Sequence, residues 1–408
     1  MTAPSLGAPT TPAATKARRP RLVPKGGGPR WWRFLHRLDL ALLGSALLLS
    51  IMGALLIYSA TRGRLVAAGD DPRAFLDKHL VNLVVGMGLC VLVAGLGYRT
   101  LRALTPWLYG AAILVLLAVL SPLGTVQNGI QAWIVLPAGF SLQPSELAKV
   151  AVVMVVALAL THRVGRSGLA PEVGPGRNEV VTALALAGVP MALILLQPDL
   201  GTVLVIAATV FGMLAVAGTD KRWLFAMVAG AVAAAGVVLA AGVLDTYQLD
   251  RLTTFLDPAA DPQGAGYNTR MAKLAISGGG VLGQGLFHGA QTQGRTVPYQ
   301  QTDFVFSVAG EELGLLGAGL LILLVGVILW RGTRIAMAAP DRFGRLLAAG
   351  IVIWFAVQAF ENIGMNLGIM PVTGVPLPLV SYGGSSMFAV WAGIGLLTSV
   401  HLRSHPAR

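Results

Sequence analysis

The feature that most constrains this chain is a series of apolar runs, each close to 20 residues long, separated by short polar or glycine- and proline-rich gaps. An α-helix rises 1.5 Å per residue, so about 20 residues cross the roughly 30 Å of hydrocarbon in a bilayer. The runs fall at 40–58, 80–98, 104–121, 146–161, 180–196, 201–217, 223–243, 304–330, 346–368 and 386–400. The expected fold class is therefore an all-α integral membrane protein of about ten transmembrane helices with large extracytoplasmic loops. Of 408 residues, 55% are hydrophobic and 12% charged, and a soluble core cannot absorb that imbalance.

Three parts are expected along the chain. Residues 1–37 read as a disordered basic cytoplasmic tail, because Pro, Ala, Gly, Thr, Lys and Arg there leave almost nothing to bury. Residues 38–402 form a polytopic membrane domain with a long outer loop at 244–303, and 403–408 a short cytoplasmic tail. The first apolar run is too long for a signal-peptide core and lacks a small-residue cleavage site after it, so it is expected to stay as the first membrane helix.

The formal charge is +12, yet the basic residues lie between apolar runs rather than among aromatics on one face, which argues against a nucleic-acid partner. Assigning alternate gaps to one side collects 21 of the 30 Lys and Arg there, and the positive-inside rule makes that side, with both termini, cytoplasmic. The gaps at 122–145, 244–303 and 369–385 then face outward. They are dense in Gly, Pro, amides and isolated charges, so the chemistry is expected on the outer face. Cys90 is the single cysteine, which excludes a disulfide within the chain and a cysteine-based metal site.

Several residues in the outward gaps carry two readings each. Glu146 and Lys149 either neutralise each other near a helix start, with Ser145 as N-cap, or face a polar cavity and position a charged ligand. Trp133 suits an interfacial belt or a ligand surface. Asp199 in Gln197-Pro-Asp-Leu-Gly201 either caps the sixth span or lines a cavity. Ser277 to Gly280 has the composition of a weak phosphate nest. Asp303 opens the eighth span, with Glu311 and Glu312 behind it. Either Asp303 or Thr302 caps that helix and the glutamates pair with a base, or Asp303 is an exposed base at a cavity rim. Residues 370–386 hold too much Pro and Gly for a helix and are too apolar for a solvated loop, so this segment is expected to dip back into the membrane. Glu361, Asn362 and Asn366 lie just before it.

Together, Gln143-Pro-Ser-Glu-Leu-Ala-Lys149, Gln197-Pro-Asp-Leu-Gly201, Thr302-Asp-Phe-Val-Phe306 with Gly310-Glu-Glu-Leu-Gly314, and Gly374-Val-Pro-Leu-Pro-Leu-Val-Ser-Tyr-Gly-Gly-Ser-Ser386 closely resemble the RodA/FtsW/SpoVE (SEDS) family, in order, over about residues 38–402. The basic tail is the departure. The resemblance, closest to RodA, implies a ten-helix peptidoglycan glycosyltransferase of the bacterial cytoplasmic membrane. Such an enzyme polymerises lipid II on the outer face for elongation and cell shape, beside a class B penicillin-binding protein that crosslinks the strands. It implies Asp303 as the catalytic residue. The candidate substrate-binding residues are Trp133, Glu146, Lys149, Asp199, Arg251, Lys273, Glu312, Ser381 and Gly383.

That chemistry deprotonates a sugar hydroxyl while a diphosphate departs, which calls for a carboxylate and for cations. Lys149, Arg251, Arg270 and Lys273 are the cations nominated. A divalent metal, Mg or Mn, is a possible cofactor with Asp303 as its candidate ligand, and no organic cofactor is expected. Membrane lipid must cover the apolar faces. Two rivals stay open on the residues alone: a transporter that flips lipid II, and a scaffold that recruits the crosslinking enzyme.

Overall fold

The computed structural model describes residues 38–127, 130–136, 140–161, 174–240, 255 and 265–404. The expected N-terminal tail lies outside these residues, as does Arg251. Helices carry the fold: α1 (Leu40–Ala68), α2 (Ala74–Leu96), α3 (Tyr98–Leu120), α4 (Pro144–Ala159), α5 (Arg177–Leu195), α6 (Leu200–Val216), α7 (Lys221–Ala240), α8 (Ala265–Gly279), α9 (Ala290–Gly294), α10 (Val305–Glu312), α11 (Gly314–Ala338), α12 (Arg342–Leu367) and α13 (Gly384–Ser404). Among the described residues, seven helices are long and apolar enough to cross a membrane, namely α1, α2, α3, α5, α11, α12 and α13, and α6 is a shorter apolar helix. Each expected span falls on helix, so the mostly helical membrane fold stands.

Short-range chemistry sets many helix ends. Asp39, Asp199 and Asp341 each accept a hydrogen bond from the amide three residues on and so cap α1, α6 and α12. Gly69 and Gly368 close α1 and α12 in the left-handed conformation. At α4, Gln143 holds the N-cap position and Pro144 begins the helix, so Ser145 is not the cap expected of it. Helix α13 continues through Arg403, past the point where a tail was expected to begin.

The centre of the bundle is α4, nearly all of whose residues are buried, packed against α3, α5, α6, α12 and α13. Helix α13 lies along α2, and α11 packs between α1 and α12. Many large apolar side chains on α1, α2, α3, α5 and α11 point outward, as lipid-facing helices require.

Two of the gaps expected to face outward differ from plain loops, and one expected span is broken. Three short strands form a small antiparallel sheet in the order β1 (Thr125–Gln127), β2 (Ile130–Leu136), β3 (Phe140–Leu142), with Val126 opposite Gln131 and Ile134 opposite Leu142. The long outer loop contains α8, which packs on α10 and α12, and the short α9. The run at 304–330 is not one helix, because the chain breaks at Leu313–Gly314, where Gly314 has φ +64°.

The glycine-rich stretch explains how that break is tolerated in a membrane protein. The carbonyls of Glu311 and Glu312, orphaned at the end of α10, accept from the Gln284 and Gly285 amides at 2.9 and 3.0 Å. The first amides of α11, Leu315 and Leu316, donate to the Gly280 and Val281 carbonyls at 2.9 and 3.2 Å. Such close approach needs glycine, since a Cβ at Gly279 or Gly283 would run into the main chain of residues 310–312. Ser277 to Gly279, where the composition suggests a phosphate nest, form the last turn of α8 and not a loop of free amides.

Candidate functional site

The site is built around a row of three consecutive carbonyls. The Gln301 carbonyl accepts from the Tyr382 amide at 2.9 Å, the Thr302 carbonyl from Ser381 Oγ at 2.5 Å, and the Asp303 carbonyl from Asn362 Nδ2 at 2.9 Å and Asn366 Nδ2 at 3.0 Å. The amides of Thr302, Asp303 and Phe304 turn back onto the Tyr299 carbonyl. The main chain that carries Asp303 is thus held from α12 on one side and from the segment before α13 on the other.

The Asp303 side chain is half-buried at the rim of this cradle. Phe304, not Asp303 or Thr302, holds the N-cap position of α10, and it makes no side-chain cap. Gly374, at φ +76°, lies against it, and a Cβ there would come within 3.5 Å of Asp303 Oδ2. That is ordinary van der Waals contact, so the positive φ and not a lack of space is what favours glycine here.

Residues 371–383 have no regular secondary structure, and their backbone is satisfied by a stripe of amides on α12. Gln358 Nε2 donates to the Pro376 carbonyl at 2.9 Å, and Asn362 Nδ2 to the Val375 carbonyl at 2.8 Å. Asn366 Oδ1 accepts from the Ser307 amide at 3.1 Å, tying in the start of α10. Gln358, Asn362 and Asn366 recur every four residues, so they share one face of the helix. An unpaired backbone group at membrane depth costs several kcal/mol, which is why an apolar helix carries three buried amides here.

Lys149 and Glu146 lie below this segment and are 2% and 1% exposed, which decides between their two readings. Lys149 Nζ pairs with Glu146 Oε1 at 2.6 Å, donates to Gln358 Oε1 at 2.8 Å and sits 5.5 Å from the Trp354 ring centroid. The ammonium is thus enclosed in a buried network that braces Gln358, and through it the 371–383 segment. It is not presented to a ligand. Asp199 joins the same region as a cap: its carboxylate accepts from the Thr202 amide at 3.0 Å and hydroxyl at 2.8 Å, from Gln143 Nε2 at 3.2 Å and from Ser145 Oγ at 3.3 Å. The Gln143 amide in turn donates to Ser385 Oγ at 2.7 Å, linking this corner to the start of α13.

Glu311 and Glu312 are fully buried and structural, but their partners are amides and hydroxyls rather than a base. Glu311 accepts from the Gln291 and Thr292 amides at 2.7 and 2.9 Å and from Thr292 Oγ1 at 2.7 Å. Glu312 Oε1 accepts from Ser59 Oγ at 2.7 Å and Gln293 Nε2 at 3.2 Å. Together they fasten α9 and α10 to the end of α1.

The other candidates are spread out. Ser381 belongs to the cradle. Gly383 follows Tyr382, whose ring stacks on His79 at 6.3 Å and meets Phe75 edge-on at 5.0 Å. Trp133 is half-buried on β2, its carbonyl accepting from Thr125 Oγ1 at 3.1 Å. Lys273, exposed on α8, lies against Gly368 at the C-terminus of α12, where a cation is favoured by the helix dipole. Arg270 is exposed on the same helix. Gly374 and the work of the α12 amide stripe are what sequence reasoning missed, and the four-residue spacing of Gln358, Asn362 and Asn366 was the available signal. Among the described residues, no group of three or more His, Cys, Asp or Glu is placed to hold a metal ion.

Comparison with known proteins gives a consistent picture. The model of the FtsW/RodA/SpoVE family, described as cell cycle protein, matches residues 39–405. The peptidoglycan glycosyltransferase MrdB of Escherichia coli K12 is 37% identical over 371 residues, covering 91% of this chain and 95% of that protein. Stage V sporulation protein E of Bacillus subtilis is 35% identical over 364 residues, covering 89% and 96%. Among solved structures, a chain from a peptidoglycan synthase complex that coordinates polymerization and crosslinking superposes with TM-score 0.74 at 33% identity, covering 91% of this chain and 99% of that one. The rod-shape-determining protein RodA of Thermus thermophilus superposes with TM-score 0.64 at 30% identity, covering 91% and 98%.

Proposed function

The chain belongs to the FtsW/RodA/SpoVE family, and from that premise we propose that it is a peptidoglycan glycosyltransferase with Asp303 as its catalytic residue. It is a multi-pass membrane protein that polymerises lipid II into glycan strands for elongation and cell shape, and its partner is a class B penicillin-binding protein that crosslinks them. The observation that carries the assignment of Asp303 is its cradle: three successive carbonyls are fastened by remote side chains and one remote amide, while the carboxylate stands half-buried beside Gly374. A fixed main chain under an accessible carboxylate is what a general base requires.

In the step proposed, a sugar hydroxyl of one substrate attacks the anomeric carbon of the other, and Asp303 takes the hydroxyl proton. The new C–O bond forms as the bond from that carbon to the diphosphate oxygen breaks. The undecaprenyl diphosphate leaves with the electron pair, and the configuration at carbon inverts. Lys149 is excluded as the cation for the leaving group by its burial, and exposed Lys273 and Arg270, with Arg251, are the candidates that stay. A divalent ion fits only if substrate supplies most of its ligands, because Asp303 is not part of any acidic or histidine cluster among the described residues. Mg²⁺ is commonly held by one or two carboxylates plus substrate phosphates, and it would supply charge neutralisation on the diphosphate. The concentration of basic residues in alternate gaps supports the further proposal that both termini are cytoplasmic and that the Asp303 end of the bundle faces outward.

The deciding experiment is glycan polymerisation from lipid II by the purified protein with its penicillin-binding partner, comparing wild type with Asp303→Asn. Polymer made by wild type and lost in the folded variant supports the assignment. A wild type that makes no polymer yet moves lipid II between vesicle leaflets would establish the transporter reading instead.

A further inference from the structure

Among the described residues, five that are not glycine have positive φ, and two of them flank the Asp303 cradle: Tyr299 at +52° and Leu379 at +67°. A side chain crowds its own main chain in this left-handed region, so glycine, asparagine and aspartate fill most such positions. A large side chain is retained there only where the surroundings over-determine the conformation, and such outliers cluster at functional sites.

At Leu379 the outlier closes a turn. Pro378 and Leu379 are the two central residues between the Leu377 carbonyl and the Val380 amide, which bond at 3.2 Å, and a positive φ at the second central position ordinarily selects glycine or asparagine. The same turn brings the Ser381 amide to the Leu377 carbonyl at 3.1 Å and the Leu377 amide to Ser381 Oγ at 2.8 Å, and that hydroxyl donates to the Thr302 carbonyl. The turn is pressed on α1, where a Cβ at Gly53 would strike the Val380 carbonyl.

At Tyr299 the outlier sits at a hinge. The Tyr299 carbonyl accepts from the Thr302 and Asp303 amides at 3.1 Å each and from the Phe304 amide at 3.3 Å, so residues 299–304 move as one body, and φ of Tyr299 sets the angle at which that body leaves Pro298. Both sides of the hinge are anchored. Val297 shares a small buried core with Phe304, and Gln300 Nε2 donates to the Ala60 carbonyl of α1 at 2.7 Å.

We infer that Tyr299 and Leu379 are positioning residues for the glycosyl transfer, because their left-handed main chain aims the 301–303 carbonyl row and with it the Asp303 carboxylate. This rests on Asp303 as the catalytic residue. Tyr299 is 46% exposed, so trimming its ring leaves no buried cavity and the main chain can be tested alone.

The test is lipid II polymerisation by the full chain with its penicillin-binding partner. Tyr299→Gly and Tyr299→Asn, which take positive φ readily, should keep kcat within about threefold of wild type. Tyr299→Val, whose branched Cβ resists it, should lower kcat by about 10- to 100-fold with KM within about twofold, in protein whose unfolding temperature shows it to be folded. Leu379 supplies the same contrast at nearly constant volume: Leu379→Met should keep kcat, and Leu379→Ile should lower it. A folded Tyr299→Val with the kcat of Tyr299→Gly overturns the inference, since a merely structural turn would cost stability alone. Equal losses in the Gly, Asn and Val variants with Tyr299→Phe intact overturn it too, by making the ring a substrate contact. If Tyr299→Val does not fold, the Leu379 pair decides by the same criterion. Asp303→Asn measured alongside keeps the two failures apart: full activity there sinks the catalytic assignment, whereas the comparison of Val with Gly reads the turn.

Discussion

Helix α12 begins and ends in opposite ways. At its start, Asp341 caps the Gly344 amide three residues away, and the helix needs nothing else from the chain to begin. Beyond its last turns the chain runs without regular structure, and the amides of Gln358, Asn362 and Asn366 reach back to carbonyls at residues 376, 375 and 303. The first end satisfies its backbone locally. The other end also closes its backbone locally, at Gly368, but its side-chain amides reach groups up to 63 residues away, and these bonds are what hold the Asp303 main chain in place. Local ends make a helix dependable, whereas remote ends make a site specific.

The largest way to test that contrast is Asp303→Asn, which should lower polymerisation by about 10²- to 10⁴-fold with a far smaller effect on the unfolding temperature, since the bonds to the three carbonyls do not depend on the side chain's charge. A parallel loss of stability would show that the carboxylate is itself part of the brace. Next comes Lys149→Met, expected to destabilise by about 3–5 kcal/mol in denaturant titration, because Glu146 is left as an uncompensated buried charge. Adding Glu146→Gln should recover most of it, and a single variant within 1 kcal/mol of wild type would mean that Lys149 is not a brace. Asn362→Leu leaves the Val375 carbonyl orphaned and should destabilise by about 1–3 kcal/mol. It should also reduce kcat more than KM, and equal effects on both would separate the amide stripe from Asp303. The smallest is Tyr98→Phe at the regular end, about 1 kcal/mol, because Asp341 keeps its Gly344 cap. A larger cost there than at Asn362 would reverse the comparison.

The same distinction governs what the sequence made legible. Apolar runs, caps at Asp199 and the irregular nature of 370–386 depend on neighbours within a few residues, and they were readable. The break at Gly314 was not, because the run from Phe304 to Trp330 is long and largely apolar despite Glu311 and Glu312, and the partners that stabilise the break, Gly280 to Gly285, come from another part of the chain. The sheet at 125–142 was hidden by glycine and proline on either side of a seven-residue strand. Glu311 and Glu312 were read as needing a base, because their true partners, Thr292, Gln293 and Ser59, are 19 to 253 residues away. Asp303 stood out by its position as one of two readings, cap or rim base, and the family resemblance implied the catalytic one. Its cradle was visible only as polar residues on an apolar helix.

The carbonyl row at 301–303 also sets an order for biogenesis. Asp303 leaves the ribosome before Asn362, Asn366, Ser381 and Tyr382 exist, so the chain can insert its helices up to α11 while the acid's main chain still lacks every one of these remote groups. The centre is completed only when α13 follows the 371–383 segment into the bilayer. A nascent chain stalled or clipped before that point is an inserted but inert protein, and the membrane gains a working polymerase only from complete synthesis.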